Sequence, residues 1–514
     1  MADVTDWQIE RMPTGIPGFD QVTNGGLPRN RTAVVAGTAG SGKTILALQF
    51  LVMGLRKYDE TGVFVTFEES PEDLIHNVRS FGWDLAGEVE KKRLAIVDAT
   101  PEPGDVQIES GAFDLSGLMA RIEHAVREVN AKRVILDAIG ALFPQFTDPN
   151  LVRRELHRIG AGLRKLGVTT LMTLERLDDD GAVGRFGVEE FVADNVVILR
   201  NRLDQEKRRR TIEILKFRGG MHQKGEYTFT VDADEGVSIL PLSAIELKQG
   251  SSNKRVSSGI EELDRMCGGG MYRDSIILVS GATGTGKTLT VAHYINAAIQ
   301  AGERAILFAS EESREQLTRN ANSWGIDFEG AEKSGLLRIV CRYPDIMGLE
   351  DHQLQMRREI DAFKPARIAV DSLSAFEKAG TRRSFREFVI GFTSYVKYLE
   401  ITGLITDTTA MLMGGQSITE THISTVTDTI LLLRYVELHG EMRRGLMILK
   451  MRGTQHQKDI REYNIDGQGM HIGAPFRGIH GIMTGTPTYM FTREREHLAE
   501  MFSPETPPPP PPKI

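Results

Sequence analysis

Cysteine is nearly absent. Two residues, Cys267 and Cys341, in a chain of 514 are too few for a disulfide framework or a thiolate metal site, and such sparse use fits a reducing compartment. No uninterrupted apolar run reaches the ~18 residues of a membrane span, and the opening MADVTDWQIE lacks the basic-then-apolar pattern of a secretory signal. A cytoplasmic location with no membrane association is therefore expected. Positive charge is not in excess either: 62 Lys and Arg against 70 Asp and Glu give a formal net charge of -8, which argues against a surface built to track nucleic acid. What remains is a composition of 40% hydrophobic and 26% charged residues, that of a globular protein long enough for two or three cores.

The chain repeats itself. TGIPGFDQVTNGGLPRNRTAVVAGTAGSGKTILAL at 14–48 answers to SGIEELDRMCGGGMYRDSIILVSGATGTGKTLTVA at 258–292, and four further blocks follow in the same order. They pair FVTFEES with LFASEES, RVILDAI with RIAVDSL, VADNVVILR with VTDTILLLR, and EILKFRGGMHQKGEY with ILKMRGTQHQKDIREY. Such a period is too long for a solenoid. It predicts a first domain over 1–240, a linker over 241–256 where Ser, Gly and charge replace periodicity, a second domain over 257–480, and a C-terminal segment over 481–514. That last segment ends in six consecutive prolines, which favour extended polyproline II. Within each half, fully apolar runs such as TAVVAG and SIILVSG alternate with helical patterns. Strands buried on both faces imply a mostly parallel α/β sheet flanked by helices.

Two glycine-rich loops carry the chemistry. Gly37, Thr38, Ala39, Gly40, Ser41, Gly42, Lys43 and Thr44 match G-x-x-x-x-G-K-[ST], as do Gly281, Ala282, Thr283, Gly284, Thr285, Gly286, Lys287 and Thr288. Each follows a strand and opens a helix, so backbone amides and the helix N-terminus can receive phosphate oxygens. Lys43 and Lys287 are expected to reach terminal phosphates, and Thr44 and Thr288 to hold magnesium. Asp137 and Asp371 end apolar strands further along, where a second carboxylate can order the magnesium shell. The pairs Glu68–Glu69 and Glu311–Glu312 follow another strand, at the sheet edge that faces the ligand crevice. An acid there can orient water or take a proton from an attacking hydroxyl; it can equally complement the dipole of a starting helix.

Late in each half, Lys216 and Arg218, like Lys450 and Arg452, stand two residues apart and share one strand face. Their distance along the chain from the local loop suggests that they serve a neighbouring subunit's nucleotide. One feature belongs to the second half alone. Six hydroxyl residues crowd TETHISTVTDT at 419–429, and aligning Asp194 with Asp428 sets Glu190 and Phe191 opposite Ser424 and Thr425. Acceptor chemistry is then confined to the second domain, although Ser and Thr are also ordinary residues before a strand.

Together these residues resemble the KaiC family of circadian-clock ATPases and autokinases, within the RecA-like superfamily. The blocks EESPEDLIHNVRSFGWDL, VEEFVADNVVILRN, KPARIAVDSLSA and ITETHISTVTDTI carry the likeness, which extends over nearly all of residues 10–480. The resemblance implies a double-ring homohexamer with ATP and magnesium at subunit interfaces. It implies slow ATP hydrolysis in the first domain with Glu68 or Glu69 as base. In the second it implies autophosphorylation with Glu311 or Glu312 as base. Lys216 and Arg218, or Lys450 and Arg452, would contact the neighbour's ATP. The family's phosphosites correspond to Ser424 and Thr425, with Thr419 as a nearby hydroxyl.

The chain also departs from the family's clock prototype. AIGALF follows Asp137 where a Ser-rich run is usual, and HGIMTGTPTYMFTREREHLAEMF is only loosely like the segment that captures KaiA. A divergent paralogue is implied, with a KaiA-like partner doubtful and a KaiB-like partner on the first domain expected. Two rival readings are a RecA-like DNA-binding ATPase and an ATP-assembled scaffold without kinase activity. The first would use basic stretches such as EKRRRT at 206–211 or Arg382, Arg383 and Arg386, but no basic loop interleaved with aromatics supports it.

Overall fold

In the computed structural model, residues 9–100, 116–142, 149–184, 192–204, 206–240, 252–409, 423–482 and 488–489 are described. The chain divides into two compact units, residues 1–245 and 246–514. Each holds a nine-stranded sheet. In the first unit the strands are β1 (Thr32–Gly37), β2 (Gly62–Thr66), β3 (Leu94–Asp98), β4 (Arg133–Asp137), β5 (Thr169–Glu175), β6 (Asn195–Asp204), β7 (Lys207–Phe217), β8 (Glu226–Asp232) and β9 (Gly236–Ile239). In the second they are β10 (Ile276–Gly281), β11 (Ala305–Ala309), β12 (Leu337–Cys341), β13 (Arg367–Asp371), β14 (Thr402–Thr408), β15 (Thr429–Leu438), β16 (Glu441–Met451), β17 (Arg461–Asp466) and β18 (Gly469–Pro475).

The spatial order is 3-2-4-5-1-6-7-8-9 in the first sheet and 12-11-13-14-10-15-16-17-18 in the second, the same path taken twice. Strands β3 to β6 in that order are parallel, and β7, β8 and β9 extend the sheet by antiparallel pairing. The fold is thus duplicated and mostly parallel, with an antiparallel wing on each copy.

The central strands are apolar at every position because both faces are covered. Ala33 and Val35 of β1 pack into one core with helix α1 (Lys43–Lys57), while Val34 and Ala36 pack into another with α2 (Ser116–Glu128) and α3 (Pro149–Lys165). In the second unit Ile277 and Val279 face α4 (Lys287–Gln300), and Ile276 and Leu278 face α5 (Leu349–Phe363) and α6 (Arg382–Tyr398). Burying one such Val, Ile or Leu side chain contributes about 1.5–3 kcal/mol, so a charge at Val35 or Val279 would disrupt the core on the helix α1 or α4 face of its sheet. Among the described residues no helix is long and apolar enough to cross a membrane.

Candidate nucleotide sites

Both phosphate loops bridge the central strand and the helix behind it. The turn into α1 requires Gly42 at φ +94°, and the turn into α4 requires Gly286 at φ +94°, a region that side-chain-bearing residues disfavour. At the strand end, a Cβ on Gly37 would lie 2.8 Å from the Leu199 carbonyl oxygen, and one on Gly281 2.6 Å from that of Leu433. Neither α1 nor α4 has an acidic residue in its first turn, and neither has a side-chain N-cap bond. The first amides therefore face the loop unopposed, which suits an incoming anion. Lys43 curls over its loop, Nζ donating to the carbonyls of Gly37 and Thr38 at 2.9 Å each. Lys287 does the same to Gly281 at 2.9 Å and Ala282 at 3.0 Å. Burial lowers both ammonium pKa values, opposed by nearby carboxylates.

Those carboxylates converge from separate strands. At the end of β4, Asp137 accepts a hydrogen bond from Thr173, and the Thr44 hydroxyl also favours its charged form. At the end of β13, Asp371 accepts from Thr288 Oγ1 at 2.7 Å and from Thr406. Burial raises both acids, and the hydroxyl donors oppose the rise. The paired acids follow β2 and β11. Glu68, though exposed, is raised by partial desolvation first, then by Asp137 and Glu175. Glu311 accepts from Ser372 Oγ at 2.9 Å. Half-buried Glu312 accepts from Asn320 Nδ2 at 3.0 Å and is raised by burial first, then by Asp371. The serine after each pair caps a helix. Ser70 accepts from the Asp73 amide at the start of Pro71–Asn77, and Ser313 forms a capping box with Gln316 at the start of Arg314–Ser323. The same short motif thus starts a helix and delivers acids to the crevice.

The strand-end cations lie elsewhere. Lys216 Nζ donates to the Ala193 carbonyl at 2.8 Å, and the Arg218 amide donates to the Asp194 carbonyl at 3.1 Å. In the second unit Lys450 Nζ donates to the Thr427 carbonyl at 2.7 Å. Arg452 Nη2 donates to the Thr425 carbonyl at 3.0 Å, and Nη1 stands 3.6 Å from Asp428. A bulge at β6/β7 and again at β15/β16 shifts the register just before each lysine. Thr425 is exposed on a short helical turn, Ile423–Val426. Ser424 lies on the same turn. Thr419, Glu190, Phe191 and the polyproline tract lie outside the described residues.

Three acids that pattern reasoning overlooked stand at these sites. Glu175, the last residue of β5, is in register with Gly37 and acts on both Lys43 and Glu68. Asp407, near the end of β14, acts on Lys287. Asp179 accepts from Thr38 Oγ1 at 2.9 Å, on the first phosphate loop itself. The only signal available was that two of them close an apolar run. The basic run at 206–211 starts in the turn before β7 and continues into that strand, where Arg208 donates to the Asn201 carbonyl at 2.8 Å and Arg210 to the Gly40 carbonyl at 3.4 Å. Arg382, Arg383 and Arg386 lie in the first turns of α6, with Arg383 paired to Glu387 at 2.9 Å.

The donor set fits a magnesium nucleotide. A hydroxyl and a carboxylate meet beside each loop, and among the described residues no cluster of three or more His, Cys, Asp or Glu could hold a metal alone. Magnesium is ordinarily bound in this sparse way, by one or two protein groups with phosphates and waters completing the shell.

Two glycine-loop sites on a repeated, mostly parallel sheet define a tandem P-loop protein of the RecA-like class. The KaiC ATPase family model matches residues 12–244 and again 256–476, and the chain belongs to that family. It is 58% identical over 494 residues to the circadian clock protein KaiC3 of Synechocystis sp., covering 96% of this chain and 98% of that protein. To the circadian clock oscillator protein KaiC of Thermostichus vulcanus it is 55% identical, covering 96% and 95%. To that of Parasynechococcus marenigrum it is 54% identical, covering 97% of each.

Proposed function

We propose that this chain is a circadian-clock ATPase and autokinase. Its first domain, residues 1–240, hydrolyses ATP; its second, residues 257–480, transfers phosphate from ATP to its own Ser424 and Thr425. The linker is assigned to 241–256 and the C-terminal segment to 481–514.

One observation carries the reading. The cation Arg452 is hydrogen-bonded to the backbone of Thr425 at 3.0 Å, so the acceptor segment and the strand-end cations are a single unit. These cations are engaged with that segment and not with their own phosphate loop, which supports a nucleotide held between subunits of a ring. A homohexamer is the assembly we infer.

Backbone amides of Gly37–Thr44 and Gly281–Thr288 would cradle the phosphates, and Lys43 or Lys287 would turn from loop carbonyls to phosphate oxygens. Magnesium would be held by Thr44 with Asp137 and by Thr288 with Asp371, neutralising phosphate charge when bound. In the first domain water attacks the γ-phosphorus, the bond to the ADP oxygen breaks, and Glu68 or Glu69 takes the proton. In the second a Ser424 or Thr425 hydroxyl attacks instead, and Glu311 or Glu312 takes its proton. Across the interface Lys216 and Arg218, or Lys450 and Arg452, would offset charge on the transferring group. A KaiB-like protein docking on the first domain, a cytoplasmic location and a paralogue's own set of partners complete the reading.

The test is phosphopeptide mapping after incubation with magnesium and ATP, beside a Glu311→Gln/Glu312→Gln control. Phosphate on Ser424 or Thr425 that disappears in the control is expected. An unmodified 419–429 peptide with ATP still consumed would leave a double ATPase without kinase activity.

A further inference from the structure

The two sites share a loop, a strand-end Asp and an acid pair, but they differ where the strand beside the phosphate-loop strand ends. In the first unit that position is Glu175, in register with Gly37. In the second it is Thr408, in register with Gly281. The amide after Glu175 donates to the Gly37 carbonyl at 3.0 Å, and the amide after Thr408 to the Gly281 carbonyl at 3.2 Å, so the two backbones are equivalent and only the side chains differ.

Glu175 is exposed at the mouth of the crevice. Among the described residues nothing donates a hydrogen bond to its carboxylate. The next cation in sequence is engaged elsewhere: Arg176 donates to the carbonyls of Ala182 and Asp179, both at 3.1 Å. Glu175 nevertheless comes first among the charges that act on Lys43, ahead of Asp137 and Glu68. It also helps to raise Glu68. An unpaired carboxylate acting on the phosphate-binding lysine repels the triphosphate, a cost to binding that a role in the reaction would offset. Thr408, by contrast, has its amide held by Ser374 Oγ at 3.1 Å, and its side chain carries no charge.

Resting on the ATPase and autokinase reading, we infer that Glu175 is a water-positioning carboxylate of the first site, and that Thr408 in its place leaves the second site open to a protein hydroxyl. Glu68 follows β2 and Glu175 ends β5, and these two strands lie on either side of β4 in the sheet. A water between the two carboxylates donates one O–H to each and turns a lone pair to the γ-phosphorus. As the O–P bond forms and the bond to the ADP oxygen breaks, the proton facing Glu68 passes to that carboxylate. The other stays on the new phosphate, and Glu175 ends unprotonated. At the second site the same place needs no second acceptor, because a Ser or Thr hydroxyl has one proton to give.

The experiment is steady-state phosphate release by full-length protein bearing Glu175→Gln or Glu175→Asp, with the second site silenced by Glu311→Gln/Glu312→Gln. Roughly a tenfold or greater fall in kcat is expected for Glu175→Gln, with KM for ATP unchanged or lower because an anion beside Lys43 is gone. Glu175→Asp should recover part of the loss. A kcat within about twofold of the parent, or a KM that rises in step with the loss and ignores the Asp variant, would overturn the inference. If Glu175→Gln does not fold, Thr408→Glu in a Glu68→Gln/Glu69→Gln background decides. Phosphate release should then rise relative to phosphorylation of 419–429, and an unchanged ratio rejects the role. A wild-type chain that releases no phosphate sinks the parent reading and takes this inference with it, so the two failures are told apart.

Discussion

Asp407 lies next to the last residue of β14, beside Glu377 and Lys287, and burial, followed by the Glu377 charge, pushes its carboxyl up to about 6. An unfolded Asp titrates near 4, so the folded state favours the protonated form. Its contribution to stability is complete below about pH 4 and is lost as pH rises through about 6. Asp407→Asn removes a penalty present only at the higher pH. Without nucleotide, the variant should melt at a higher temperature than the parent at pH 8, by an amount worth at most about 3 kcal/mol, and coincide with it near pH 4. Identical melting curves at both pH values would remove the buried charge from the account. Asp407 and Glu175 also mark where reading the sequence stops. Gly37–Thr44 and Glu68–Glu69 are legible because each motif is continuous in the chain. Which strand ends meet them depends on the order 3-2-4-5-1-6, and that is decided by packing.

At the level of elements, both sheets bury an arginine at the first residue of the strand that ends in Asp137 or in Asp371. Arg133 opens β4 with its side chain 0% exposed, Nε donating to Glu60 at 2.8 Å and Nη1 to the Phe50 carbonyl at 2.7 Å. Nη2 reaches the Pro13 carbonyl at 2.8 Å, and the guanidinium stacks 4.5 Å from the Phe50 ring. Arg367 repeats the arrangement with Glu303 at 2.8 Å and the Ser257 carbonyl at 2.7 Å. Helix α1 yields space for it at Gly54, where a Cβ would come within 2.6 Å of Arg133 Nε. Breaking one partner of a buried pair costs more than removing both. Arg133→Met should therefore lose about 3–5 kcal/mol in urea unfolding, and Glu60→Leu/Arg133→Met should recover much of it. A double variant as unstable as the single one would show that packing around the guanidinium, and not its charge, holds β4 in place. The partners are 73 residues apart in the chain, so the hydrophobic pattern announces the strand without announcing its anchor. The bulges before Lys216 and Lys450, where the register shifts between Val196 and Val197 and between Ile430 and Leu431, have no signature in the spacing of the charges.

For the whole molecule, the duplication makes two candidate sites, and among the described residues a hydroxyl-bearing turn tied to the strand-end cations is seen in the second. If those cations act on the neighbouring subunit's nucleotide, two inactive chains should repair each other in a mixed ring. A Lys287→Ala chain loses its own phosphate-loop cation but keeps Arg452, Lys450 and the acceptor turn. A Lys450→Ala/Arg452→Ala chain keeps its loop but offers no cation to its neighbour. Mixed with magnesium and ATP, the second chain holds nucleotide and the first supplies the missing charges. The direction of transfer then follows from a distance: Arg452 Nη2 is 3.0 Å from the Thr425 carbonyl of its own chain, so acceptor and cation arrive together. Phosphate should appear on Ser424 or Thr425 of the Lys287→Ala chain and not on its companion, a difference that mass tags on one chain resolve. Phosphate confined to the Lys450→Ala/Arg452→Ala chain would mean that loop and acceptor belong to one subunit. No phosphate on either chain, in mixtures whose rings are shown to contain both, would mean that Lys450 and Arg452 serve their own chain's site.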